Sequence, residues 1–193
     1  MVLHDLSDKF ALEWVHLLIH LQFLNPSWFG SILSRVDLRS TQLVTIDGKN
    51  AKDFDDAVYA EELKNKKGWR VLVAIADVSH YVKEKSYLDN EARERGNSIY
   101  FPNLVVPMLP EELSNNLCSL KPNVDRACLT VEIILDNNGI KQSHNFFQSV
   151  IKSAKRLTYE EVEEVITKKP SIHNFDKSLS LIHISEPTRL VWI

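Results

Sequence analysis

Leu43-Val-Thr-Ile-Asp-Gly-Lys-Asn-Ala-Lys-Asp-Phe-Asp-Asp-Ala-Val-Tyr59 is the stretch that decides how this chain reads. Its two ends, residues 43–46 and 57–59, are apolar and β-prone, which predicts strands entering and leaving a loop. Between them stand Asp47, Asp53, Asp55 and Asp56. Carboxylates this close repel one another, and folding them together is unfavourable unless something positive sits among them. Hard carboxylate oxygens suit Mg²⁺, with Mn²⁺ as the alternative. In an extended segment Asp53 and Asp55 point one way and Asp56 the other. All can reach one ion only if the loop curls, and Gly48 is expected to permit the sharp turn after Asp47. The spacing does not match an EF-hand. A solvated acidic loop without metal is the competing reading.

Outward from the loop, residues 57–61 and 69–75 read as strands joined by the polar turn at residues 64–68. The run Val71-Leu-Val-Ala-Ile75 is nearly all apolar, which predicts burial on both faces. Residues 87–95 form a charged helix with Gly96 at its C-cap. Residues 98–101 are extended and stopped by Pro102. Pro110-Glu-Glu-Leu113 opens another helix, with proline in the first turn and acids at the positive dipole end. Residues 129–135 and 141–147 pair through the turn Asn137-Asn138-Gly139. Thr158-Tyr-Glu-Glu161 carries a capping-box signature for a last helix. Strands and helices alternate without a regular βαβ beat. The expected class is α+β, a mixed β-sheet with packed helices.

Composition narrows the function classes. The 193 residues are 44% hydrophobic and 25% charged, ordinary for a soluble globular domain. The net charge of −3 gives no bulk basic field, so any nucleic-acid binding must come from a local groove. Cys118 and Cys128 lack metal-ligand spacing and read as reduced thiols of a cytoplasmic protein. Residues 10–24 (FALEWVHLLIHLQFL) are apolar but too short to span a bilayer, and Glu13, His16, His20 and Gln22 interrupt them. They lack the basic start and cleavage site of a secretory signal. Residues 1–34 are therefore expected to be a helical junction, with Asn25-Pro26-Ser27 ending the helix. His16 and His20 lie one turn apart, and without an acidic third ligand they read as helix surface rather than metal ligands. Residues 179–193 begin LSLIHISEPTR, which matches the translation of a transposon-type sequencing adapter. They are expected to be non-native, and His183 and Glu186 carry no functional weight.

The motifs together resemble a known family. Arg35-Val-Asp-Leu-Arg39, Val44-Thr-Ile-Asp-Gly48 and Asp53-Phe-Asp-Asp-Ala-Val58 are similar to the opening of the catalytic RNB domain of the ribonuclease II / ribonuclease R family. The likeness continues through Val73-Ala-Ile-Ala-Asp-Val-Ser-His-Tyr81, Ser98-Ile-Tyr-Phe-Pro102, Val106-Pro-Met-Leu-Pro110, Leu113-Ser-Asn-Asn-Leu-Cys-Ser-Leu120 and Arg156-Leu-Thr-Tyr159. Its wording is closest to the ribonuclease R branch. The resemblance places residues 35–178 as the N-terminal portion of that domain. It implies processive 3′→5′ hydrolysis of single-stranded RNA to nucleoside 5′-monophosphates.

Carried over by position, Asp47, Asp53 and Asp56 look like Mg²⁺ ligands, and Asp55 matches the aspartate on which turnover depends most. Tyr100 aligns with an aromatic that stacks on a base near the RNA 3′ end; on composition alone it would read as a packed strand tyrosine. Asp77 and His80 could form an acid/base pair but are read as structural. The run Pro107-Met-Leu-Pro110 is expected to shape the wall of the RNA channel. Lys152, Lys155 and Arg156 are candidates for phosphate contacts, with a solvated basic surface as the alternative. The family's later arginine and glutamate, and its flanking oligonucleotide-binding barrels, have no counterpart in these 193 residues. The chain is therefore expected to be a truncated, monomeric fragment, inactive alone, with no membrane association. A non-catalytic RNA-binding or regulatory fragment is the alternative.

Overall fold

The computed structural model describes residues 34–64, 67–102 and 104–167. The chain divides into two units, Met1–Ser34 and Arg35–Ile193. The expected junction helix, with His16 and His20, and the adapter-like tail lie outside the described residues. Among the described residues no helix is long and apolar enough to cross a membrane.

The second unit is built on a mixed sheet. Its strands are β1 (Val36–Asp37), β2 (Val44–Asp47), β3 (Asp56–Glu62), β4 (Trp69–Ala76), β7 (Asp125–Leu135), β8 (Lys141–Lys152) and β9 (Lys155–Thr158). They lie in the order β1-β8-β7-β4-β3-β2-β9. The four central pairings, from β8 through β2, are antiparallel, whereas β1 joins β8 and β9 joins β2 in parallel. A separate ribbon pairs β5 (Ile99–Phe101) with β6 (Leu104–Val106). Helices α1 (Val78–Tyr81), α2 (Tyr87–Arg95) and α3 (Tyr159–Thr167) complete the set, with a π-helical turn at Leu113–Leu117. The α+β class holds.

Local chemistry explains the connections. Asp136 accepts backbone N–H bonds from Asn138 at 2.8 Å and Ile140 at 2.9 Å, and Gly139 takes φ +76°. An Asx turn followed by a left-handed glycine closes the β7–β8 hairpin. Gly68 is required for a different reason. Its φ is +139°, and a Cβ there would lie 1.9 Å from the Leu135 carbonyl oxygen. The capping box on α3 is complete: the Thr158 hydroxyl accepts from Glu161 N–H at 3.1 Å, and the Glu161 carboxylate accepts from Thr158 N–H at 2.7 Å.

The main core cluster lies on one face of the sheet, while Val44, Ala60, Ala127 and Val150 are buried on the other. Ala57, Leu72, Ala74, Ala76 and Cys128 meet Leu113, Cys118 and Leu120, with Val78, Tyr81 and Val82 packed at the edge. The expectation that β4 is buried on both faces holds only in part: Val71 and Val73 are half-buried, and the second face opens at Ile75. Leu72, Ala74 and Ala76 are buried, whereas Ile75 is 45% exposed, as is its neighbour Leu129 at 48%. Strand side chains alternate, and the π-helical turn and α1 pack against the Leu72 side of β4. The start expected at Pro110 also forms differently. Its helical bonds widen into a π turn, closed by Cys118 N–H to the Leu113 carbonyl at 2.8 Å.

Candidate active site

Asp47 is the last residue of β2 and Asp56 the first of β3, so the sheet fixes both ends of the acidic loop. Between them the chain turns at residues 49–50, where Ala51 N–H reaches the Gly48 carbonyl at 3.0 Å. Gly48 is not the enabling residue expected from its type. It has no positive φ, and a Cβ would meet nothing within 4 Å. The curl is imposed from outside instead. Arg156, on β9, donates through Nη2 to the carbonyls of Gly48 and, at 3.0 Å, Lys49. Its guanidinium carbon lies 5.6 Å from the centre of the Phe54 ring.

The far half of the loop is held as firmly. The fully buried Ser119 hydroxyl donates to the Lys52 carbonyl at 2.7 Å and accepts from Phe54 N–H at 3.2 Å. Leu120 N–H bonds the Phe54 carbonyl at 2.9 Å, and Ala76 N–H bonds the Asp55 carbonyl at 2.9 Å. Asp55 is thus tied to the end of β4. A cleft of about 730 Å³ opens here, with Asp53 and Asp55 on one side and Tyr100, Val105 and Met108 on another. Ser114, Asn115 and Cys118 of the π-turn region complete a wall. Tyr100 is 70% exposed, on the ribbon face it shares with its partner Val105. Asp53, Asp55 and Tyr100 therefore share one cleft. Asp47 and Asp56 do not line it.

Electrostatics couples all four acids. Burial pushes the Asp55 carboxyl upward, and the charges of Asp53, Asp56 and Asp47 push it further. Asp47 is raised by burial and by Asp56 and Asp53, with the Thr45 hydroxyl and Arg156 pulling it back. Asp47 Oδ2 is buried without a hydrogen-bond partner. A buried carboxylate oxygen left open beside other carboxylates is the environment a hard divalent cation completes. The donors fit Mg²⁺ or Mn²⁺ in kind. Among the described residues, however, no three Asp, Glu, His or Cys side chains converge closely enough to form a ready metal cage.

Other candidates resolve plainly. Asp77 accepts from Arg35 Nη2 at 2.6 Å, from the Ser79 hydroxyl at 2.6 Å and from His80 N–H at 3.2 Å, capping α1. It is structural, as expected, and no acid/base pair forms with the His80 ring. Arg156 is committed to loop carbonyls rather than presented for phosphates. Lys152 pairs with Asp125 at 3.4 Å. Pro107, Met108 and Leu109 do line the cleft. Sequence reasoning missed Ser119, Asn50 and Lys52, the last two of which also line the cleft. Lys52 and Asn50 sit within the acidic run and could have been found; nothing local marks Ser119.

The comparisons place the chain in a family. A family model described as RNB domain matches residues 35–189. Ribonuclease R of Vibrio parahaemolyticus is 54% identical over 134 residues, which is 69% of this chain and 16% of that protein. Two solved structures of Mycoplasma genitalium RNase R are similar. The complex with ribose-methylated single-stranded RNA gives a TM-score of 0.69 at 40% identity, over 75% of this chain and 22% of that one. The complex with double-stranded RNA gives 0.72 at 36% identity, over 83% and 28%. The chain thus spans well under a third of each of these relatives. With the acidic loop, the ribbon aromatic and the sheet all inside the matched residues, the chain belongs to the RNB domain family.

Proposed function

We propose that this chain supplies the metal-holding edge of a 3′→5′ exoribonuclease acting on single-stranded RNA. The observation that carries this reading is the single cleft shared by Asp53, Asp55 and Tyr100. The relatives named ribonuclease R, one of them solved with single-stranded RNA, support the substrate class. Asp47, Asp53 and Asp56 would hold Mg²⁺. Bound divalent cations would neutralise charge at the scissile phosphate and make the attacking water more acidic. Asp55, tethered through its backbone to β4, would orient the terminal nucleotide at that phosphate. Tyr100 would stack on a base, a contact that tolerates any sequence and contributes about 1–3 kcal/mol per base.

In the longer protein, Asp55→Asn is expected to bind labelled single-stranded RNA normally while losing most release of nucleoside 5′-monophosphates. Unimpaired turnover would remove Asp55 from this role. The second reading is that these 193 residues bind RNA without cleaving it, since the chain spans under a third of the relatives it matches. Incubating the purified chain with RNA and Mg²⁺, beside an EDTA control, separates the two. The chain alone is expected to be inactive; EDTA-sensitive mononucleotide release would contradict that.

A further inference from the structure

We propose that Ser119 and Arg156 are positioning residues that hold the aspartate loop in its working shape; this rests on reading the loop as a cation site. The loop opposes its own fold, because it gathers four carboxylates and has little regular structure between β2 and β3. Side chains grip it at two points. Arg156 grips the start through the Gly48 and Lys49 carbonyls. Ser119 grips the stretch around Asp53, bonding one residue before it and one after.

The chemistry of each grip is specific. At Ser119 one hydroxyl must donate to a carbonyl and accept from an N–H at once, and its side chain is fully buried. Alanine would leave both loop groups without that partner. Ser119 is itself braced. Arg126 donates through Nε to the Ser119 carbonyl at 2.8 Å and through Nη2 to the Asn116 carbonyl at 2.8 Å. The π turn ends immediately before it, so the widened helical bond at Cys118 sets where Ser119 enters the loop. At Arg156, one guanidinium nitrogen, Nη2, donates to two adjacent carbonyls and the charged group lies near the Phe54 ring; a neutral amide on a shorter side chain does not reproduce both. Neither residue reaches the cleft, so their effect passes through the backbone that carries Asp53 and Asp55.

The test uses the whole 193-residue chain with two readouts: Mn²⁺ binding by calorimetry, and amide hydrogen exchange without metal. Ser119→Ala is expected to weaken Mn²⁺ binding at least roughly tenfold, as loss of groups that orient ligands does. It should also speed exchange at residues 53–56 about tenfold, while the β7–β8 amides keep wild-type protection. Arg156→Gln should do the same at residues 49–56, and it decides the matter if Ser119→Ala does not fold. Unchanged loop exchange in a folded variant overturns the proposal. Asp53→Asn is the control for the underlying reading. If the wild-type chain binds no Mn²⁺, or Asp53→Asn binds it equally, the cation reading fails while loop exchange still judges the positioning role.

Discussion

Asp77 and Asp47 both end a strand's run and both place a carboxylate oxygen out of water, yet their surroundings are opposite. Asp77, 5% exposed as a side chain, meets the buried Arg35 guanidinium at 2.6 Å and two further donors. Burial pushes its carboxyl up, but the bonds from Ser79 and Arg35 outweigh that and hold it below the usual carboxylate range. Asp47 has an oxygen with no partner, and burial with acidic neighbours holds its carboxyl above that range. One acid is completed within the chain. The other keeps one oxygen without a hydrogen bond, and the pull of Thr45 and Arg156 does not offset its burial and acidic neighbours. Buried charge alone does not set the two apart; what differs is whether an internal partner completes the carboxylate.

The largest expected effect attacks the completed pair. Arg35→Ala strands the Asp77 carboxylate and should cost about 3–5 kcal/mol in urea unfolding of the chain. Asp55→Asn, which removes one of four repelling charges, should leave metal-free stability within about 0.5 kcal/mol or raise it. Equal losses from the two variants would erase the distinction.

A second test adds the missing charge. Mg²⁺ at about 100 times its dissociation constant should stabilise the chain by roughly 2.7 kcal/mol, with EDTA reversing the gain. The double variant Asp47→Asn with Asp53→Asn should lose that increment. Asp77→Asn should start from lower stability and keep it. An increment that survives in the double variant would place the cation elsewhere.

The same contrast explains what the sequence made legible. The capping box at Thr158, the turn at Asn137-Asn138-Gly139 and the paired strands around the acidic loop are written in neighbouring residues, and all appear in the structure. The four acids announced themselves because repulsion needs no knowledge of the fold. Their supports did not. Ser119 reaches a residue 65 positions away and Arg156 one 108 away, so no local pattern carries them. Gly48 misleads for that reason: a glycine beside a loop suggests backbone freedom, whereas the loop's carbonyls are held by a distant arginine. The apolar run in β4 could not reveal that its second face is half-buried and opens at Ile75, because alternation is invisible when both faces are apolar.

Acid should next separate the pair by pH. The folded Asp77 carboxyl titrates below its ordinary value of 3.8. Its contribution is therefore fully present above that value and lost as pH falls through the folded one. Urea midpoints of the wild-type chain should drop over this acid range. Asp77→Asn should show a shallower drop there, since it has no proton to take up. A drop of the same size in both would show that other groups carry the acid sensitivity.

The smallest effect on stability belongs to the ribbon. Tyr100 is 70% exposed and pairs through its backbone with Val105, so Tyr100→Ala removes little buried surface. Unfolding should change by no more than about 0.5 kcal/mol. In the longer protein, the same substitution should weaken single-stranded RNA binding by about 1–3 kcal/mol, and Tyr100→Phe should retain nearly all of it, because the ring face does the stacking. A tyrosine that mattered to stability and not to RNA would belong with Asp77, among the residues the fold uses up internally. The opposite result would place it with the acids across the cleft, held in position by the fold and left open for what enters.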